Sequence, residues 1–116
     1  MQFQVYNDFN KNISRVENFF KIANKNKCDI ICFPEVFLTA GLQKKKYNPE
    51  IPVQSKKLFS KLCKNYGLYA VMGSIIEKDG NNLYNTSYLF DDKGEIIGNY
   101  KKNHLTKNEQ KYLKSD

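Results

Sequence analysis

A few residues of this 116-residue chain carry side chains able to do chemistry. Glu35 follows the apolar run at residues 29–33 (Asp-Ile-Ile-Cys-Phe) and Pro34. A carboxylate just past the C-terminal end of a buried strand is where α/β enzymes often place their chemistry. There it can accept a proton as a general base. The plainer reading is an exposed loop glutamate, since most glutamates lie on the surface. Lys102 and His104 stand just past a second strand-like segment. An ammonium at that place could stabilise developing negative charge, or it could be one more surface lysine. His104 is the only histidine. A Cys–His nucleophilic pair is conceivable, but nothing in the sequence brings a cysteine to it, and His104 reads as structural. The cysteines are Cys28, Cys32 and Cys63. Their odd number, with no secretory signal in view, argues against a disulfide framework and for a reducing, cytoplasmic setting. The step from Cys28 to Cys32 is not the usual zinc spacing, and no Cys/His cluster completes a metal site. All three read as small buried hydrophobes.

The elements that would position these residues follow from periodicity. Residues 2–6 alternate like the end of a strand, and 7–12 form a polar turn. Ile13, Val16, Phe20 and Ala23 share one helical face, which predicts a helix near 13–26. Ser14 and Glu17 fit a capping box, with Asn12 as a competing N-cap. Residues 29–33 predict a strand buried on both faces, stopped by Pro34. Residues 39–54, with Gly41, Pro49 and Pro52, read as loop. Leu58, Phe59, Leu62, Cys63 and Tyr66 mark a second amphipathic helix ending at Gly67. A strand at 68–76, a turn at 78–82 holding Asp79-Gly80, and an alternating strand from Tyr84 to Phe90 follow. A hairpin turn at 91–94 leads to a returning strand at 95–102. The tail from 106 is polar, with a helical turn or two. This order of strands and helices predicts an α/β layered domain.

Bulk properties exclude more than they assign. The net charge is +7, yet Arg15 is the only arginine, and asparagine, with fourteen residues, is abundant alongside lysine. Lysine and asparagine rising together read as codon bias. Arginine, the better residue for bidentate phosphate contacts, is nearly absent. A nucleic-acid partner is therefore disfavoured. No apolar run approaches the roughly 18–20 residues that span a bilayer.

The residues Phe33-Pro34-Glu35-Val36-Phe37-Leu38-Thr39 resemble the strand-to-loop motif of the nitrilase, or carbon–nitrogen hydrolase, superfamily. Asn85-Thr86-Ser87-Tyr88-Leu89-Phe90, then Gly94, Gly98 and Tyr100-Lys101-Lys102-Asn103-His104-Leu105, resemble its hairpin and lysine motif, with Lys101 in place of the usual arginine. The resemblance implies that residues 1–116 form the N-terminal part of a four-layer α-β-β-α sandwich. It makes Glu35 the general base, Lys102 the catalytic lysine and Glu109 a supporting second glutamate, all three needing no metal or organic cofactor. It also implies a small amide or nitrile substrate and a homo-oligomer at full length. The family's nucleophilic cysteine follows the lysine motif by a few dozen residues. By order, none of Cys28, Cys32 and Cys63 can be that cysteine, so the chain alone is expected to be inactive. A non-catalytic truncated product, acting as a binding or assembly partner, is the alternative. Substrate choice is not legible, because the specificity loops fall partly within 39–53 and largely past residue 116. The geometric expectation is that Glu35 and Lys102 meet at one end of a sheet.

Overall fold

The computed structural model describes residues 8–35 and 47–116. The expected strand at 2–6 lies outside the described residues, as does the first half of the expected loop; the expected turn at 7–12 is corrected, because residues 9–12 are already helical. Two helices, α1 (Phe9–Lys25) and α2 (Glu50–Tyr66), lie on one face of a four-stranded sheet. Its strands are β1 (Ile30–Cys32), β2 (Tyr69–Asp79), β3 (Asn82–Phe90) and β4 (Ile96–Lys101), neighbouring in that order. β1 runs parallel to β2, and the other pairings are antiparallel. A 3-10 turn, Glu109–Lys111, follows.

Helix α1 starts earlier than its apolar spacing predicts. Asp8 caps it, its carboxylate accepting from the backbone N–H groups of Asn10 and Lys11 at 3.0 and 3.4 Å. Phe9 packs against the core and extends the stripe of Val16, Phe20 and Ala23 by almost two turns. Ser14 is no cap: it lies inside the helix and donates to the Asn10 carbonyl at 3.1 Å. Helix α2 also starts earlier, at Glu50, with Pro52 buried in its first turn. Proline is tolerated there because the first-turn N–H groups have no partner within the helix. The helix ends as expected on Gly67, in the left-handed region with φ 63°.

Four phenylalanines from four different segments knit the helices to the sheet. The rings of Phe20 and Phe33 stack at 5.9 Å, Phe33 meets Phe59 edge-on at 5.2 Å, and Phe59 lies 5.8 Å from Phe90. The opposite face of the sheet carries no described layer. The expectation that the first strand is buried on both faces is therefore corrected: Ile31 points into the core, while Ile30 and Cys32 are exposed. The cysteine expectation is corrected with it, since only Cys63 is buried, and Cys28 and Cys32 are exposed. The β2–β3 turn is tighter than expected, with only Gly80 and Asn81 between the strands and Gly80 at φ 61°. On the helix-covered side, Glu77 bonds Lys56 and the Tyr88 hydroxyl, tying α2 to the central strands.

Candidate active site

The core places Glu35 from two residues away. Phe33 is buried among aromatic rings, and its N–H donates to the Val71 carbonyl at 3.0 Å as the last rung of the β1–β2 ladder. Pro34 has no N–H to continue the pairing. The chain passes so close to Gly73 that a Cβ there would lie 1.8 Å from the Pro34 carbonyl oxygen and 2.4 Å from that of Phe33. Gly73 sits where the β2–β3 register shifts, between Met72 and Ile75. A bulge with no side chain lets β1 deliver Glu35 over the sheet.

Strand alternation selects the lysine. Lys101 pairs with Thr86 in register, bonds Asp79 at 2.7 Å and lies over the Tyr84 ring at 4.2 Å. Lys102, one residue on, turns to the other face. Its N–H donates to the Asn85 carbonyl at 2.9 Å, which fixes it at the end of β4. Its Nζ lies 2.8 Å from Glu35 Oε1 and 3.2 Å from both carboxylate oxygens of Glu109. Glu109 is held in turn by Thr106. The Thr106 N–H donates to Glu109 Oε2 at 2.7 Å, and the Glu109 N–H donates to Thr106 Oγ1 at 3.2 Å. This reciprocal exchange is a capping box, at Thr106 and Glu109 rather than at Ser14 and Glu17. The tail is fastened beside it, with the Lys114 N–H donating to the Leu83 carbonyl at 2.7 Å.

The electrostatics follow. The hydrogen bond to Glu35 raises the Lys102 ammonium above the ordinary lysine range; partial burial opposes this, and Glu109 adds to the rise. Burial disfavours the ionised form of Glu109, but the Thr106 N–H, the Lys102 ammonium and the Thr106 hydroxyl outweigh it and hold the carboxyl below its usual range. The cluster is thus an ionised lysine between two carboxylates, open on one side: the Glu35 side chain is 54% exposed and that of Glu109 16%. Such a group can take a proton at Glu35 and stabilise an oxyanion at Lys102.

The structure brings Glu35, Lys102 and Glu109 together. His104 lies two residues past Lys102, exposed, and takes no part in the cluster. Cys63 sits in α2 on the other side of the sheet, where burial, aided by the Asp91 carboxylate, pushes its thiol up to about 12. Cys28 precedes β1, at the end away from Glu35. Sequence reasoning gave no role to Asn85 or Thr106. Asn85 Nδ2 donates to Glu35 Oε1 at 2.7 Å from a position only 2% exposed. Its Oδ1 is buried and without a partner among the described residues, a state that costs about 1–3 kcal/mol. A polar amide in mid-strand was the signal for Asn85, and the Thr-x-x-Glu spacing was the signal for Thr106. Among the described residues no group of three His, Cys, Asp or Glu side chains could hold a metal ion. No described helix is long and apolar enough to cross a membrane.

The chain as a whole is similar to known proteins. The carbon–nitrogen hydrolase family model matches residues 1–116, and the chain belongs to that family. It is 32% identical over 107 residues to the omega-amidase NIT2 of Homo sapiens, covering 90% of this chain and 39% of the relative. It is 30% identical over 110 residues to the 2-oxoglutaramate amidase of Bacillus subtilis, covering 90% of this chain and 41% of the relative. Among solved structures, an amidase from Nesterenkonia superposes with a TM-score of 0.88 at 19% identity, over 100% of this chain and 46% of that one. A variant of that amidase carries the acetamide moiety of fluoroacetamide on its active-site cysteine. The fold is accordingly that of the N-terminal part of a nitrilase-type sandwich. The chain spans about two fifths of the length of the curated relatives it matches.

Proposed function

We propose that these residues supply the base and the oxyanion-stabilising cation of a cysteine-dependent amidase acting on a small carboxamide. The observation that carries this reading is the contact of Glu35, Lys102 and Glu109 in one cluster. In the proposed cycle Glu35 takes the proton of a cysteine thiol. The thiolate sulfur bonds to the amide carbon, and the carbonyl electron pair moves to oxygen, where Lys102 stabilises the charge. Collapse breaks the C–N bond, and the leaving nitrogen takes the proton from Glu35. Water then gives a proton to Glu35 and attacks the thioester. The acid leaves, and the sulfur regains its proton. Glu109, locked by Thr106, keeps Lys102 ionised and aimed.

The nucleophile in this proposal is a cysteine outside residues 1–116. Cys63 is protonated and enclosed, and Cys28 lies beyond the wrong end of β1. Cys32 stands three residues before Glu35, roughly 10 Å along extended chain, facing the open side of the sheet. The named activities of the two curated relatives favour an amide over a nitrile. Assembly into a homo-oligomer belongs to the same proposal. The test is acid-quenched turnover of a small carboxamide by the protein at its natural length, with mass mapping of the acylated peptide. The expected result is a thioester on a cysteine other than these three. An acyl group on Cys28, Cys32 or Cys63 would overturn the assignment.

A further inference from the structure

Asn85 touches two members of the cluster, Glu35 and Lys102, in two different ways. Its side-chain Nδ2 donates to Glu35 Oε1 at 2.7 Å, the same oxygen that Lys102 Nζ contacts at 2.8 Å. Its main-chain carbonyl accepts from the Lys102 N–H at 2.9 Å. One residue in the middle of β3 therefore sets the separation of the proposed base and the proposed cation.

The side chain is costly where it stands. Asn85 Oδ1 is buried with no hydrogen-bond partner among the described residues, and asparagine is a poor strand former. Rotating the amide would not help, because Oδ1 would then meet the Glu35 carboxylate oxygen, lone pair against lone pair. The amide orientation is dictated by Glu35, and the orphaned oxygen is its consequence. Residues that break a stability rule in this way cluster at functional sites.

We propose that Asn85 is a positioning residue for the reaction: with Lys102 it anchors Oε1 of Glu35, so that Oε2 is the oxygen that exchanges protons with the nucleophile and with water. Asn85 itself neither gives nor takes a proton. Glu35 is more than half exposed and follows a strand that ends three residues earlier, so without two donors on one oxygen its carboxylate would sample several rotamers. The inference rests on the reading of Glu35 as the base.

The experiment compares Asn85→Val and Asn85→Asp with wild type and with Glu35→Gln, all in the protein at its natural length. It measures kcat, KM, thermal melting and the pH profile of kcat/KM on a small carboxamide. Valine suits a strand and removes the orphaned oxygen, so Asn85→Val should melt no lower than wild type. Its kcat should fall ~10–100-fold with KM within about twofold, since misplacing a reacting group by an ångström costs on that order. Asn85→Asp keeps the shape but faces Glu35 with a second carboxylate. It should be slower than Asn85→Val, with the acid limb of its profile moved to higher pH, because facing carboxylates retain a shared proton. The proposal is overturned if folded Asn85→Val keeps wild-type kcat, whatever its melting temperature. Should valine fail to fold, a wild-type kcat and pH profile in Asn85→Asp overturn it equally. Glu35→Gln separates the two claims. If it is inactive while the Asn85 variants turn over normally, only the positioning role fails. If it stays active, the base assignment fails first.

Discussion

Lys102 can serve the proposed chemistry because it is held from two sides, and the two members of the Lys102–Glu109 pair respond oppositely to pH. The Glu109 carboxyl lies below its ordinary range, so its contribution to stability is present above that range and lost as pH falls through the depressed value. The Lys102 ammonium is raised, so its contribution is present below the ordinary lysine range and lost as pH rises through the raised value. Glu109→Gln should therefore lower stability by about 0.5–1 kcal/mol at neutral pH, the scale of a partly exposed ion pair. The difference from wild type should vanish in acid, as paired melting curves would show; a gap that widened in acid would refute the charge assignment. A second expectation concerns the thiols. In the 116-residue chain Cys28 and Cys32 should react with a maleimide within minutes at neutral pH. Cys63, buried and raised to about 12, should react only on unfolding. Rapid modification of Cys63 in the folded chain would contradict the packing. At this scale the meeting of Glu35, Lys102 and Glu109 was legible only through the resemblance of the motifs that carry them, since each residue alone reads as an ordinary surface charge. It concealed Asn85, because an amide in a strand becomes meaningful only when the facing carboxylate is known. It misplaced the capping box, because Ser14/Glu17 and Thr106/Glu109 share one spacing and only the true helix start, set by Asp8, distinguishes them.

Among the elements, the shortest strand has the largest consequence. β1 has three residues, and its exit is fixed by the Phe33 ring and the bare backbone of Gly73. Phe33→Ala should cost about 3–5 kcal/mol, the range for deleting a buried aromatic ring, read as a fall in melting temperature. Gly73→Ala tests position more than packing. With a Cβ 1.8 Å from the Pro34 oxygen, the turn into Glu35 must move. Turnover in the protein at its natural length should then drop by ~10²-fold or more for an ångström of displacement. Wild-type kcat in Gly73→Ala would show that this approach does not position Glu35. The strand and helix order was legible, since the apolar periods of 2 and 3.6 changed where the elements change. The helix starts were not. Pro49 and Pro52 read as loop because proline disrupts helices everywhere except the first turn, and a first turn is defined only once the helix is placed. The bulge at Gly73 was equally hidden, because a glycine in a strand does not say which backbone approaches it.

For the molecule as a whole, the sheet is covered on the helix side and carries exposed Ile30, Tyr69 and Tyr100; Ile30 and Tyr69 are register partners that face away from the helices, next to the buried pair Ile31 and Ala70. The two-layer order was legible. The open face was not, because an apolar run such as 29–33 shows that side chains seek burial without showing what covers each face. On the proposed reading the 116-residue chain alone should give no turnover of small carboxamides. Turnover by it, abolished by Cys63→Ala, would place the nucleophile inside this segment. The central claim is that Glu35 and Lys102 do the proton and oxyanion work while His104 does none. The most direct test is steady-state turnover by the protein at its natural length for Glu35→Gln, Lys102→Ala and His104→Ala, with melts to confirm folding. Glu35→Gln should lose ~10²–10⁴-fold, the worth of a positioned base. Lys102→Ala should lose ~10²–10³-fold, the worth of a preorganised oxyanion donor. His104→Ala should stay within a few-fold of wild type. Near-normal turnover by Glu35→Gln together with an inactive, folded His104→Ala would contradict the account.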